Sequence, residues 1–426
     1  MDPFASLGPS FCILPWIHLC STPDGIWCRC GADNTTYYDY YEQEREPEFS
    51  LKADALGCVS RSRYARANPG RVFGLEEAFN CPNMRRTRLA MLEGRWPDAC
   101  RRCYEDEYEG LCSYRQRRLN NLSEDIDPAS LASLVSRTAK DGSLDAFPIL
   151  AGLCFGNLCN LACIMCSFPN GSRSGPGGRP PWLSAHINPI EDDEQFWASL
   201  ARNSKKILSV GIGGGEPFLQ RTHFRILDTL LEAGAAAQIR LDYTSNLTVL
   251  PEGLFERFSR FKHVRILASC DGIGETFEKI RVGARWEEFV RNLRLAKGHA
   301  EVVINPALQR DNLHELGRLM DFAAAEGVRI EVRNYVRYPE ELSVRSLPVD
   351  RKAHFTSELN ILREKCAAGS LSDVADGISG LIVYMNLPPR TWHRRWRLRL
   401  SWALAGFRQR PPKTAGFGSF RIKAYR

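Results

Sequence analysis

FPILAGLCFGNLCNLACIMC, residues 147–166, joins a short apolar run to a loop dense in cysteine. Downstream the same kind of run recurs as KILSVGIGG, IRLDYTS, VRILASC, EVVINPA and RIEVRNYV. Amphipathic, helix-like stretches lie between them at 193–204, 221–235, 251–261, 286–298 and 313–326. Strand-like runs alternating with helical patterns of this length predict βα units and a parallel sheet. Six such units fit an incomplete barrel better than an eight-fold one. The expected class is therefore α/β, a partial (β/α)6 TIM-like barrel over residues 147–348.

The flanks read differently. Residues 1–120 are rich in cysteine, arginine and aromatics, with a helical stretch near Leu75–Glu93. Residues 121–146 read as a linker with a short helix, and 349–389 as a helical segment. NGSRSGPGGRPPW, residues 170–182, is a Gly/Pro-rich loop directly after the cysteine triplet. From residue 390 to 426 there are 11 Lys or Arg and no acid, while the other 389 residues carry 46 basic and 50 acidic groups. The body is slightly acidic and the tail is a basic arm. TWHRRWRLRLSWALAGF within it has the pattern of a basic amphipathic helix, suited to an anionic partner or a membrane surface. There is no apolar run of transmembrane length and no secretory pattern at the start, so a cytoplasmic protein is expected.

Fifteen cysteines are many for a reducing compartment, where clustered thiols point to metal or catalysis rather than disulfides. Nine fall in the first 112 residues and four between Cys154 and Cys166. Cys58, Cys81 and Cys366 read as buried small hydrophobes. Cys154 reads as core and Cys270 as a packing residue on a strand end. Cys159-x3-Cys163-x2-Cys166 places three thiolates at the C-terminal end of a strand, where α/β folds gather their active sites. Three close thiolates can wrap one cubane cluster and leave its fourth iron open; structural zinc more often takes four ligands in two close pairs.

The next strand ends in GIGGGEPFL. Its Gly214 and Gly215 permit close backbone approach, and Glu216 offers a carboxylate to a cationic amine. TSN (Thr244–Asn246) and SCDG (Ser269–Gly272) end the following two strands, with hydroxyls and a carboxamide able to hold a ribose.

The CxxxCxxC loop, the GGEP turn and the Ser-x-Asp-Gly strand end together closely resemble the radical S-adenosylmethionine (SAM) superfamily, over roughly residues 147–348. The resemblance implies a [4Fe-4S] cluster on Cys159, Cys163 and Cys166, with SAM bound to its open iron. Reductive cleavage of SAM would give a 5′-deoxyadenosyl radical that abstracts hydrogen from a substrate. By matching position, Gly214, Gly215 and Glu216 would hold the methionine amine, and Ser269, with Asn246 and Asp271 on the same strand ends, would line the ribose. Arg281, in IRVGARW, is a carboxylate or ribose contact. Met165 departs from the aromatic that many members carry there.

The N-terminal segment FCILPWIHLCSTPDGIWCRC and the later CRRC resemble a twitch module, the half-length relative of SPASM. This implies an auxiliary [4Fe-4S] cluster on Cys12, Cys30, Cys100 and Cys103, with Cys20, Cys28 and Cys112 nearby. A zinc ribbon is the competing reading. A closed auxiliary cluster favours an oxidation (alcohol dehydrogenation or a peptide cross-link) over redox-neutral epimerisation, with Cys366 a weak candidate hydrogen-atom donor. The expected partners are a small-molecule or peptide substrate and an electron donor such as flavodoxin or ferredoxin, and nucleic acid is not expected. The rival class is a non-enzymatic zinc or iron–sulfur protein docking through its basic tail.

Overall fold

A computed structural model describes residues 4, 7–33, 51, 53–62, 64–122, 126–166, 171–172, 187–369 and 371–388. The basic tail and most of the Gly/Pro-rich loop after Cys166 lie outside the described residues. The described chain divides into two compact units. One contains the residues up to Thr22 together with Ile26–Gly152; the other contains Pro23–Gly25 and the residues from Leu153 onward.

In the first unit, strand β1 (His18–Ser21) pairs antiparallel with β2 (Ile26–Cys28), which pairs antiparallel with β3 (Gly57–Cys58). Strand β4 (Leu150–Gly152) runs parallel to β1. The helical stretch near Leu75–Glu93, the short helix expected within 121–146 (Pro128–Ser136) and β4 were visible in the sequence, whereas β1, β2 and β3 were not, and the reason is plain. Every residue of β1, β2 and β3 is buried, so no period-two alternation marks them. The helix Pro82–Leu92 starts with proline at its first turn, where no intrahelical N–H is lost. It carries Arg88, which is fully buried. The Arg88 guanidinium donates to the carbonyls of Pro15, Phe79 and Gly142 and to Asn80 Oδ1, and lies 4.6 Å over the Phe79 ring. A buried cation is tolerated here because its donors find acceptors.

In the second unit, five parallel strands run in the order β10–β8–β7–β6–β5: β5 Ser209–Ile212, β6 Arg240–Ser245, β7 His263–Ala268, β8 Glu301–Ile304 and β10 Arg329–Ile330. All six expected strand runs are present, counting β4. Helices fill the connections, as an incomplete parallel barrel requires. The helix Arg221–Glu232 buries Thr222, His223, Ile226, Leu227 and Leu230, one stripe at helical spacing. The helix Trp286–Ala296 buries Phe289, Asn292, Leu293 and Ala296 in the same way.

The last expected run, RIEVRNYV, splits. β10 pairs with β8, whereas β11 (Asn334–Tyr335) pairs with β9 (Ala307–Leu308). Pro306 separates β8 from β9 and has no N–H to continue a ladder, so the partner strand breaks at the same level. Two helices, Val349–Ala368 and Ser372–Asn386, pack against each other after the last strand.

Candidate active site

Cys159, Cys163 and Cys166 share one loop, and their thiols act on one another. Burial pushes Cys159 up to about 11 and Cys166 up to about 12, with neighbouring thiols adding to both shifts; burial also raises Cys163, against the pull of Arg281. Three crowded thiols that resist ionising together are stabilised as thiolates by a bound cationic group, which releases their protons on binding.

The loop is anchored by backbone contacts. Gly214 and Gly215 have φ of +81° and +52°. A Cβ on Gly214 would sit 3.0 Å from the carbonyls of Cys154 and Gly156, and one on Gly215 would sit 2.3 Å from that of Leu158. The Glu216 N–H donates to the Leu158 carbonyl at 2.8 Å. Sequence reasoning gave these glycines to close approach by a ligand; the structure uses them to bring the turn against the chain leading into Cys159.

Glu216 is 1% exposed, and its carboxylate accepts from Phe218 N–H at 3.2 Å, Ser245 Oγ at 2.8 Å and Asn246 N–H at 2.7 Å. Burial pushes its carboxyl up to about 7, despite those three donors. Asn246 follows β6 and turns its amide toward the loop. Its Nδ2 lies 3.1 Å from Asn160 Oδ1 and 3.9 Å from Cys159 Sγ, while its Oδ1 accepts from the Thr248 N–H and hydroxyl. Asn160 Nδ2 donates in turn to Thr248 Oγ1 at 2.8 Å.

Arg281 Nη1 approaches Cys163 Sγ at 3.8 Å, and its Nε lies 2.8 Å from Asp271 Oδ2. Asp271 is fully buried and its Oδ1 accepts from the Ala307 N–H at 2.6 Å. Asp271 is thus engaged by protein groups. Ser269 lies beside it at the end of β7, where its N–H donates to the Ser245 carbonyl. Cys270 is buried and its thiol donates to the Gly272 carbonyl at 3.5 Å. Cys366 is buried in the helix Val349–Ala368 and is not among the groups that meet at the cysteine loop.

Asn160, Thr248 and Ser172, whose hydroxyl accepts from Cys159 N–H, escaped sequence reasoning. The one available signal was the carboxamide beside Cys159 in NLCN.

In the first unit, Cys12, Cys30, Cys100 and Cys103 come together from three separate stretches of chain. Cys12, Cys30 and Cys100 line a small cavity with Arg29, Asp33 and Met91. Cys30, Cys100 and Cys103 pack with Trp96 and Tyr104. Burial pushes Cys12 up to about 12 and Cys103 up to about 11, and raises Cys30 and Cys100 well above the usual thiol range; neighbouring thiols of the group add to the shifts of Cys12, Cys30 and Cys100. Two buried ion pairs flank them. Arg29 Nη1 meets Asp33 Oδ2 at 2.8 Å, and Arg115 Nη2 meets Glu107 Oε2 at 2.5 Å. Cys20 and Cys28 lie opposite each other across β1 and β2.

Among the described residues, no three His, Cys, Asp or Glu side chains converge closely enough to hold a single metal ion. By donor chemistry, three thiols on one loop fit a [4Fe-4S] cluster with one iron left open, and four gathered thiols fit a closed one.

A parallel α/β sheet with a three-cysteine loop following a strand is the frame into which the comparisons fit. Residues 153–323 match the model of the Radical SAM superfamily. Among solved structures, Streptococcus suis SuiB bound to S-adenosylmethionine is 16% identical, with a TM-score of 0.39, covering 56% of this chain and 51% of that one. Native anSMEcpe with bound AdoMet is 16% identical, with a TM-score of 0.40, covering 52% and 61%. TYW1 with a lysine-pyruvate adduct is also 16% identical, with a TM-score of 0.31, covering 50% and 70%. The chain thus spans about half to three-fifths of the length of SuiB and anSMEcpe. A search of the curated proteins finds no match. No helix among the described residues is long and apolar enough to cross a membrane.

Proposed function

We propose that this protein is a radical SAM enzyme of biosynthesis that abstracts hydrogen from a small-molecule or peptide substrate and completes an oxidation. The observation that carries the reading is the gathering of Cys159, Cys163 and Cys166 on one loop, where neighbouring thiols raise the pKa of Cys159 and Cys166, after a strand end inside the segment that matches the superfamily. Cys159, Cys163 and Cys166 would hold a [4Fe-4S] cluster, which would supply the electron for reductive cleavage of SAM. The chain's own residues prepare that site. The Gly214–Glu216 turn fixes the approach to Cys159, and Asn246, Ser269, Asp271 and Arg281 shape and charge the seat where the cofactor's amine and ribose would lie. Glu216 and Asp271 do this through protein partners, so their contribution is orientation and field.

The oxidative assignment rests on the four gathered thiols of the first unit. Four protein ligands close a cluster, which then suits electron acceptance better than substrate ligation. On this reading residues 1–120 form a twitch-like module, 121–146 a linker, 147–348 the radical SAM barrel and 349–389 a helical segment. The basic tail, 390–426, meets an anionic partner or membrane surface, and a flavodoxin or ferredoxin in the cytoplasm supplies electrons.

Anaerobic purification tests the reading. Roughly eight iron and eight sulfide per chain, two cubanes' worth, should accompany dithionite-dependent release of 5′-deoxyadenosine. Cys163→Ala should abolish release, whereas Cys100→Ala with Cys103→Ala should keep it and lose about half the iron. A colourless, zinc-loaded protein would overturn the assignment.

A further inference from the structure

The contacts around the cysteine loop do more than hold it in place. Two side chains from outside the loop aim N–H donors at its sulfurs. Asn246 Nδ2 reaches Cys159 at 3.9 Å and Arg281 Nη1 reaches Cys163 at 3.8 Å. The donors are held by buried scaffolding. The Asn246 amide cannot rotate without losing Thr248 on one side and Asn160 on the other. Its backbone is tied to Glu216.

The next residue, Leu247, has φ of +52°, a left-handed conformation costly for a branched side chain. Two neighbours and burial over-determine it. The Leu247 N–H donates to Ser245 Oγ, the Leu247 carbonyl accepts from Asn292 Nδ2 at 2.9 Å, and the side chain is fully buried. Strain of roughly 1–3 kcal/mol at such a residue persists only where the surroundings impose it. Here the imposed turn is what places the Asn246 amide at the sulfur.

We propose that the Ser245–Thr248 turn, with Arg281, sets the reduction potential of the cluster held by Cys159, Cys163 and Cys166. Asn246 is the principal positioning residue and Glu216 is its anchor. The inference rests on the function proposed above, since it requires a cluster on this loop. The physical basis is direct. Reduction adds an electron to a cluster whose charge is shared by its sulfur ligands, so donors aimed at those sulfurs stabilise the reduced form and raise the potential. Low solvent access magnifies the effect, and Asn246 and Arg281 are 5% and 8% exposed. The cluster would then be poised within reach of a physiological donor by residues that need not touch the substrate.

The test is an EPR-monitored redox titration of the full-length reconstituted protein. The signal whose g-values move on adding SAM identifies the cluster on this loop and separates it from any N-terminal one. Asn246→Ala should lower that cluster's midpoint potential, making one-electron reduction about tenfold less favourable, or ~59 mV for a one-electron couple. Thr248→Val keeps the Asn246 amide but removes one of its tethers, and should lower the potential by less. Iron content checks loading. If Asn246→Ala does not load iron, Thr248→Val decides, because its own shift is read in the same way. An unshifted potential in the loaded variants would overturn the inference and leave the proposed function standing. Absence of any SAM-responsive signal in the unaltered protein would instead remove the proposed function.

Discussion

The two thiol sites are built by opposite strategies. In the second unit, three cysteines lie within eight residues, and the fold needs only to seat one loop. It does so by backbone-to-backbone contact, at the Gly214–Glu216 turn and the Leu158 carbonyl. In the first unit, the four cysteines span residues 12 to 103 and are brought together by side-chain bracing. Buried arginines do that bracing. Arg29 and Arg115 reach carboxylates and neighbouring backbone, and Arg88 reaches backbone carbonyls around the same helix that supplies Met91 to the cavity. A local site can be made by a tight turn; a dispersed one needs long polar side chains to tie distant segments together.

Removing a brace from each unit should expose this contrast. Arg88→Met keeps the apolar volume but leaves the carbonyls of Pro15, Phe79 and Gly142 without their donor. Several buried acceptors lost at about 1–3 kcal/mol each, some recovering other partners, place the expected loss near 3–5 kcal/mol in urea unfolding. Iron at the N-terminal thiols should fall while SAM-responsive iron is kept. Equal loss from both sites would show that the two are not separately braced.

The second unit should break at its turn. Gly215→Ala forces a Cβ to within 2.3 Å of the Leu158 carbonyl and requires φ of +52° of an alanine, for an expected loss of about 2–4 kcal/mol. Iron held by the Cys159 loop should fall with it. Gly110→Ala is the control in the first unit. Its φ is +79° but a Cβ there meets nothing within 4 Å, so only the conformational cost of about 1–2 kcal/mol is expected. Thermal unfolding and iron content of the two variants give the comparison.

Acid should act on the two units almost alike. Burial lowers His18 to about 4 and His223 to about 3, with Arg118 and Arg257 adding repulsion to the charged forms. His18 Nδ1 faces the Arg29 carbonyl, and His223 Nε2 faces the Tyr243 hydroxyl. Because both folded values lie below the usual 6.5, each contribution is complete above pH 6.5 and is lost as pH falls toward 3–4. At pH 5 each costs about 2 kcal/mol relative to pH 7, at ~1.36 kcal/mol per unit. His18→Gln and His223→Gln should each flatten the pH 7 to 5 decline in urea-unfolding stability by that amount. Only below pH 4 should they diverge, with His223 continuing to matter.

Legibility in the sequence followed the same division. The Cys159 loop, the GGEP turn and the βα rhythm were readable because each is a pattern a few residues long. The short strands β1, β2 and β3 were not, because their residues are buried on both faces and carry no alternation. The break between β10 and β11 could have been anticipated from Pro306, but the pairing that moves to β9 depends on which strand lies alongside.

The sequence by itself determined that three thiols share a loop at a strand end, since covalent spacing alone keeps them close. Tertiary structure decided what that loop leans on. Glu216 points to the Ser245–Asn246 turn, Asn246 to a sulfur and Arg281 to another sulfur, and Cys12, Cys30 and Cys100, far apart in the chain, meet at one cavity with Cys103 packed against Cys30 and Cys100. Those contacts join positions far apart in the chain, so no local pattern encodes them; burial and hydrogen-bond satisfaction select them only once the strands and helices are packed.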